Sequence, residues 1–201
     1  MLTVEKVMTS GAFADEGFDR PRWWSEGSWY TTLHRKTQAA VISTANLTET
    51  TSAAGNGADL SVNEIILHNA STGESSVLVA AHDLIPEGSN TPLSIDDYAT
   101  STDKKKILIF TNAQKVWRLK TRGSYWLLNL GSDSADIPRS LRQLGKSLLS
   151  NSLMFATISP DASRVAYVCE HNIFVEHLDN NEIVQLTRDG SEKIINGTFD
   201  W

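Results

Sequence analysis

The stretch LMFATISPDASRVAYVCEHNIFVEHLDNNEIVQL, Leu153–Leu186, holds four short apolar runs separated by turn-forming residues. They are Leu153–Ile158, Arg164–Cys169, Ile173–Val175 and Ile183–Leu186. β-Branched and aromatic residues dominate them, and each is too short to bury a helical face, so they read as β-strands. Ser159-Pro160-Asp161 closes the first run. Its carboxylate can bond the backbone amides of a tight hairpin. Asn180-Asn181-Glu182 marks a second turn before the closing strand.

Outward from this stretch the pattern repeats in looser form. Trp29–Leu33, Glu64–His68 and Ser76–Val79 make one earlier group, and Ile107–Phe110 with Ser124–Leu128 make another. Ser25-Glu26-Gly27 and Ser101-Thr102-Asp103 stand just before strongly apolar runs, as Ser159-Pro160-Asp161 does. Thr72-Gly73-Glu74 matches the later Asn turn. A unit of about four strands recurring every few tens of residues is the signature of β-propeller blades. The expected fold is all-β, a partial propeller of four-stranded antiparallel blades. About three blades and the start of a fourth fit. A short N-terminal helix is expected in front, capped by Thr3, with Val4, Val7 and Met8 on one face and Gly11 as its stop. Thr44–Ser61 is polar and reads as a long hairpin loop. Leu141–Leu149 reads equally as a helical turn, a strand or irregular structure.

Composition narrows the function classes. The 201 residues carry 24 Asp and Glu against 18 Lys and Arg, a net charge of -6. That balance argues against a nucleic-acid partner, which needs a basic patch. The densest basic run, Lys104-Lys105-Lys106, falls at a turn. Cys169 is the single cysteine, so no intramolecular disulfide forms, and its apolar neighbours predict a buried, inert thiol. The opening residues lack a signal-peptide pattern, and no run is long and apolar enough to span a membrane, which leaves the compartment open.

Catalytic motifs are absent. There is no Gly-x-Ser-x-Gly elbow. Gly145-Lys146-Ser147 ends like a phosphate loop, but Ser140 stands where the first glycine belongs, and its Cβ would obstruct the cradle. His34, His68, His82, His171 and His177 show no metal-ligand spacing. Asp96 and Asp97 are adjacent, and neighbours on a strand point to opposite faces, which makes them a poor acid/base couple. No catalytic residue, metal site or cofactor is expected.

Several segments, taken in order, resemble one family. These are Arg22-Trp23, Gly27-Ser28-Trp29-Tyr30, Asp97-Tyr98, Lys115-Val116-Trp117-Arg118, Ser159-Pro160-Asp161, Leu186-Thr187-Arg188-Asp189-Gly190, Asn196-Gly197 and Asp200-Trp201. They are similar to successive elements of the dipeptidyl peptidase IV propeller. Lys104 and Ala162 depart from the family by standing where glycine usually follows the turn Asp. The resemblance implies an eight-bladed propeller capping a C-terminal α/β-hydrolase domain that carries Ser, Asp and His. Residues 1–21 would pack on that domain, and residues 22–201 would form the N-terminal part of the propeller. The parent would be a serine exopeptidase releasing N-terminal X-Pro or X-Ala dipeptides from peptides with a free amino terminus, and a homodimer is compatible with the family. Arg118 maps to the arginine that bonds the carbonyl of the substrate's first residue. The glutamates that hold the ammonium follow Asp-Trp in the family, outside this sequence. Without the likeness, Arg118 reads as a structural or solvent-facing residue stacked on an aromatic ring. This chain alone is expected to lack peptidase activity and to be marginal as an isolated fold. The alternative is a non-catalytic propeller scaffold for protein interaction.

Overall fold

A computed structural model describes residues 3–4, 20–25, 27–37, 61–131 and 138–198. Apart from Thr3 and Val4, the expected N-terminal helix lies outside the described residues, as do nearly all of the 44–61 loop and Asp200-Trp201. The strands are β1 (Arg22–Ser25), β2 (Trp29–Thr37), β3 (Ser61–Asn69), β4 (Ser75–Val79), β5 (Asp97–Thr100), β6 (Lys106–Val116), β7 (Leu119–Asn129), β8 (Ser140–Gln143), β9 (Leu153–Ile158), β10 (Arg164–Cys169), β11 (Asn172–His177) and β12 (Ile183–Gln185). One 3-10 turn, Ala81–Leu84, lies between β4 and β5.

Every pairing is antiparallel, and the strands fall into three groups of four. The order β1-β2-β3-β4 forms the first sheet. β5-β6-β7 with β8 on β7 forms the second group, and β9-β10-β11-β12 the third. The second and third are joined, because β7 also pairs with β9 at Arg122↔Met154 and Gly123↔Leu153. β6 and β7 are each 11 residues long, against 4 for β8. The length of β7 that β8 leaves uncovered is what meets β9. Leu141–Leu149 begins as strand, since Ser140–Gln143 pairs with Asn129 to Trp126. Leu186–Thr198 forms turns with no further strand.

The repeat extends to single hydrogen bonds. Ser101 N donates to Lys106 O at 2.9 Å, and Ser159 N to Arg164 O at 2.8 Å. The serine hydroxyl accepts from Lys106 N or Arg164 N at 2.9 Å in each case. The aspartate accepts from Lys105 N or Ser163 N at 3.1 Å. These bonds hold Lys104 at φ 60° and Ala162 at φ 54°. Both therefore occupy the left-handed region that glycine fills more readily, at a cost of about 1–2 kcal/mol each. The turns that enter β4 and β12 correspond too: Asn69 N bonds Glu74 O at 2.8 Å, and His177 N bonds Glu182 O at 2.9 Å.

Two cores lie between neighbouring sheets, and β6 supplies both. Its run Ile107-Leu108-Ile109-Phe110 is buried on each face, which explains the unbroken apolar pattern. Ile107 and Ile109 pack toward the first sheet with Ile65, Val79, Ile95 and Leu128. Leu108 and Phe110 pack toward the third with Leu127, Leu153, Val165 and Tyr167. Cys169 is buried in that second core, with its sulfur 3.1 Å from the Ser152 hydroxyl.

Polar ties cross both seams. The Tyr98 hydroxyl donates to Thr31 Oγ1 at 2.9 Å, and Ile95 N donates to the buried Asn63 Oδ1 at 3.0 Å. Across the second seam Arg142 Nη1 on β8 donates to Glu176 Oε1 on β11 at 2.6 Å. Glu176 Oε2 accepts from Gly145 N at 2.9 Å and from the Tyr167 hydroxyl at 3.1 Å.

Burial pushes the Tyr125 phenol up to about 12, aided by the charge of Asp97 and opposed by the amides of Ala156 and Phe155. Burial raises Tyr167 further, with the Glu176 carboxylate adding to it. A phenol whose folded pKa lies above its unfolded value of 10.0 contributes stability below pH 10 and loses it as pH rises. The unfolding free energy should therefore fall between about pH 10 and 12, by up to about 1.4 kcal/mol per pH unit for each group. Urea unfolding across that range should show the decline, and Tyr125→Phe should make it shallower. An unchanged slope in Tyr125→Phe would contradict the assignment.

Candidate functional site

The β6–β7 hairpin runs past the end of β5 and turns at Trp117-Arg118. Register shifts between Thr111 and Lys115 bend the arm, as bulges do. The bend is fixed from both sides: Ala113 N donates to Asp96 Oδ2 at 2.8 Å, and Asn112 Nδ2 donates to Asn151 Oδ1 at 3.5 Å. Gly123 lies opposite the bend, where a Cβ would sit 2.5 Å from Thr111 O. At the tip Trp117 has φ 56° and is 69% exposed. Arg118 is exposed, with its guanidinium carbon 4.5 Å from the centroid of the Trp117 ring. This is the aromatic stacking that the residue pattern alone suggests for Arg118. It also holds a planar donor fork clear of the sheet.

Below the tip, a cleft of ≈ 600 Å³ opens between the first and second sheets. Its cations are Arg20, Arg22, Arg35 and Lys120, and its carboxylates are Asp96 and Asp97. Tyr98 and Phe110, both buried, also line it. Arg22 pairs with Asp97 and lies 4.0 Å from the centroid of the Tyr98 ring. The adjacent aspartates thus diverge, one to Arg22 and one to the Ala113 amide. The cleft escaped the sequence reading because its cations lie on β1, β2, β7 and the segment before β1. Only the stacking of two sheets brings them together.

The histidines are dispersed. His68 stacks on Tyr30 at 4.8 Å and shares a 2.9 Å hydrogen bond with Thr32, while His171 lies in a turn at φ 62°. No cluster of three metal-ligating side chains occurs among the described residues.

The profile of the family described as "Dipeptidyl peptidase IV (DPP IV) N-terminal region" matches residues 101–201. This chain belongs to that family. The match begins at the Ser101 turn and runs through the β6–β7 arm and the whole third sheet. A probable dipeptidyl-aminopeptidase B of Neurospora crassa is 33% identical over 103 residues, 50% of this chain and 10% of that protein. The corresponding Pyrenophora teres f. teres protein is 29% identical over 101 residues, again 50% of this chain and 10% of the relative. The matched half of the chain thus spans about a tenth of the length of these relatives. In structure it is similar to Porphyromonas gingivalis dipeptidyl peptidase 4, with a TM-score of 0.59 at 21% identity. That likeness covers 94% of this chain and 22% of the other, and it extends the shared fold to the first sheet. The three groups of four strands are accordingly successive blades of a partial β-propeller.

Proposed function

We propose that this chain is the substrate-gating, N-terminal propeller portion of a serine exopeptidase that releases X-Pro or X-Ala dipeptides. Its nucleophile would stand on a C-terminal α/β-hydrolase domain of the same polypeptide, on which residues 1–21 pack. The observation that carries the reading is Arg118: an exposed guanidinium at the tip of a braced arm, stacked on Trp117, in a Trp-Arg pair that resembles the one in the family.

The chemistry is a measurement of length. An exopeptidase must fix the distance from the substrate's amino terminus to the scissile bond. Arg118 would donate to the carbonyl of the first residue while a carboxylate pair elsewhere holds the ammonium. A guanidinium suits the task because it keeps its charge at any working pH and its donors lie in one plane. Trp117 would limit the positions the fork can take.

The test is steady-state hydrolysis of an X-Pro chromogenic substrate by the natural polypeptide that carries this chain. Arg118→Ala should lower kcat/KM about 10- to 100-fold, the loss of one charge-assisted hydrogen bond of about 1.5–3 kcal/mol. The melting temperature should stay unchanged, because Arg118 has no partner in either core. Arg118→Lys should recover only part of the loss. Wild-type kcat/KM in Arg118→Ala would refute the role.

A further inference from the structure

We propose that the cleft between the first two blades is a second binding site, separate from the Arg118 tip, for an extended acidic peptide segment. Charge is the first argument. The chain as a whole is acidic, at -6, yet this cleft gathers four cations against two carboxylates. Asp97 is already paired with Arg22, and Asp96 accepts the Ala113 amide. Arg20, Arg35 and Lys120 are exposed and have no ion-pair partner among the described residues. Like charges gathered without partners repel one another, and a bound anion relieves that repulsion.

Shape and lining decide which anion. A volume of ≈ 600 Å³ is that of a site for a drug-sized ligand or short peptide, much larger than one inorganic ion needs. Among the described residues, two strands that border the cleft, β1 and β5, each pair on one side only. Their unpaired backbone groups can meet an extended chain. Three free cations are few for counterion-release binding of a nucleic-acid backbone. Carboxylate side chains on a peptide satisfy all of these features.

Fluorescence anisotropy on the natural polypeptide would use the N-acetylated peptide Ac-Ala-Glu-Val-Glu-Ala and its Gln counterpart. The acetyl cap removes the free amino terminus on which the exopeptidase reading depends, so either idea can fail alone. At about 20 mM salt the Glu peptide should bind at least about 10-fold more tightly than the Gln peptide. That gap should close near 0.5 M salt, where screening is short-ranged. Arg35→Gln with Lys120→Gln should bring Glu-peptide affinity down to the Gln level. Both side chains are exposed and unpaired, so the fold should tolerate the change, and an unchanged circular dichroism spectrum would verify it. Equal affinity for the two peptides, no effect of the double variant, or tighter binding of a single-stranded oligonucleotide of equal charge would overturn the proposal.

Discussion

Replacing Glu176 with alanine is expected to destabilise the protein by about 3–5 kcal/mol and to release the third blade from the second. The carboxylate is 2% exposed and accepts from three donors: Arg142 and Gly145 of the second blade, and Tyr167 of the third. Alanine would leave a largely buried guanidinium, a hydroxyl and an amide without their acceptor. Each buried donor left unmade costs about 1–3 kcal/mol, more where it is charged. Arg142 Nη2 has no hydrogen-bond partner among the described residues. Urea unfolding should show a lower midpoint, and hydrogen exchange should show β9–β12 losing protection before β1–β4. Glu176→Leu with Arg142→Met should be less damaging than Glu176→Ala alone, because a hydrophobic pair leaves no buried charge. A loss below about 1 kcal/mol in Glu176→Ala would mean that the tie does not hold the blades together.

Gly123→Ala should cost about 2–3 kcal/mol, near the top of the usual range for overpacking. The added methyl would sit 2.5 Å from Thr111 O, 2.7 Å from a Phe110 ring carbon and 3.1 Å from Asn112 O. The ring could turn aside, but the carbonyls belong to the bulge that aims the Arg118 arm. Gly123 also pairs with Leu153 where β7 meets β9, so a shift there disturbs three strands at once. Gly73→Ala provides the contrast. Its φ is +75° but nothing lies within 4 Å, so only the backbone preference is lost, about 1 kcal/mol. Differential scanning calorimetry of the two variants should separate them clearly, and equal melting temperatures would contradict the close-approach argument. If the arm is displaced, Gly123→Ala should also lower kcat/KM, with Arg118 itself intact.

Much of the fold is legible in the sequence where burial is two-sided. Ile107–Phe110 is apolar without interruption because it has a blade on each face. β1, β5 and β8 are harder to read, since they are four residues long and owe their conformation to a neighbour. Ser140-Leu141-Arg142-Gln143 has little β preference of its own and becomes strand because β7 offers an open edge. The departures at Lys104 and Ala162 do not alter the turns. The Ser and Asp bonds over-determine the geometry and carry a non-glycine residue into positive φ. For the candidate site, the Trp117-Arg118 pair is visible as a motif, while its bracing by Asp96, Asn151 and Gly123 is not. The cationic cleft has no local signature at all.

The central claim is that the Arg118 fork reads the first carbonyl of a bound peptide. A structure of the natural polypeptide with an X-Pro ligand would measure it as one distance, from an Arg118 Nη atom to that carbonyl oxygen. A hydrogen bond of about 2.7–3.2 Å is expected. A guanidinium still stacked on Trp117 and more than about 3.5 Å from the carbonyl, with no bridging water, would contradict it.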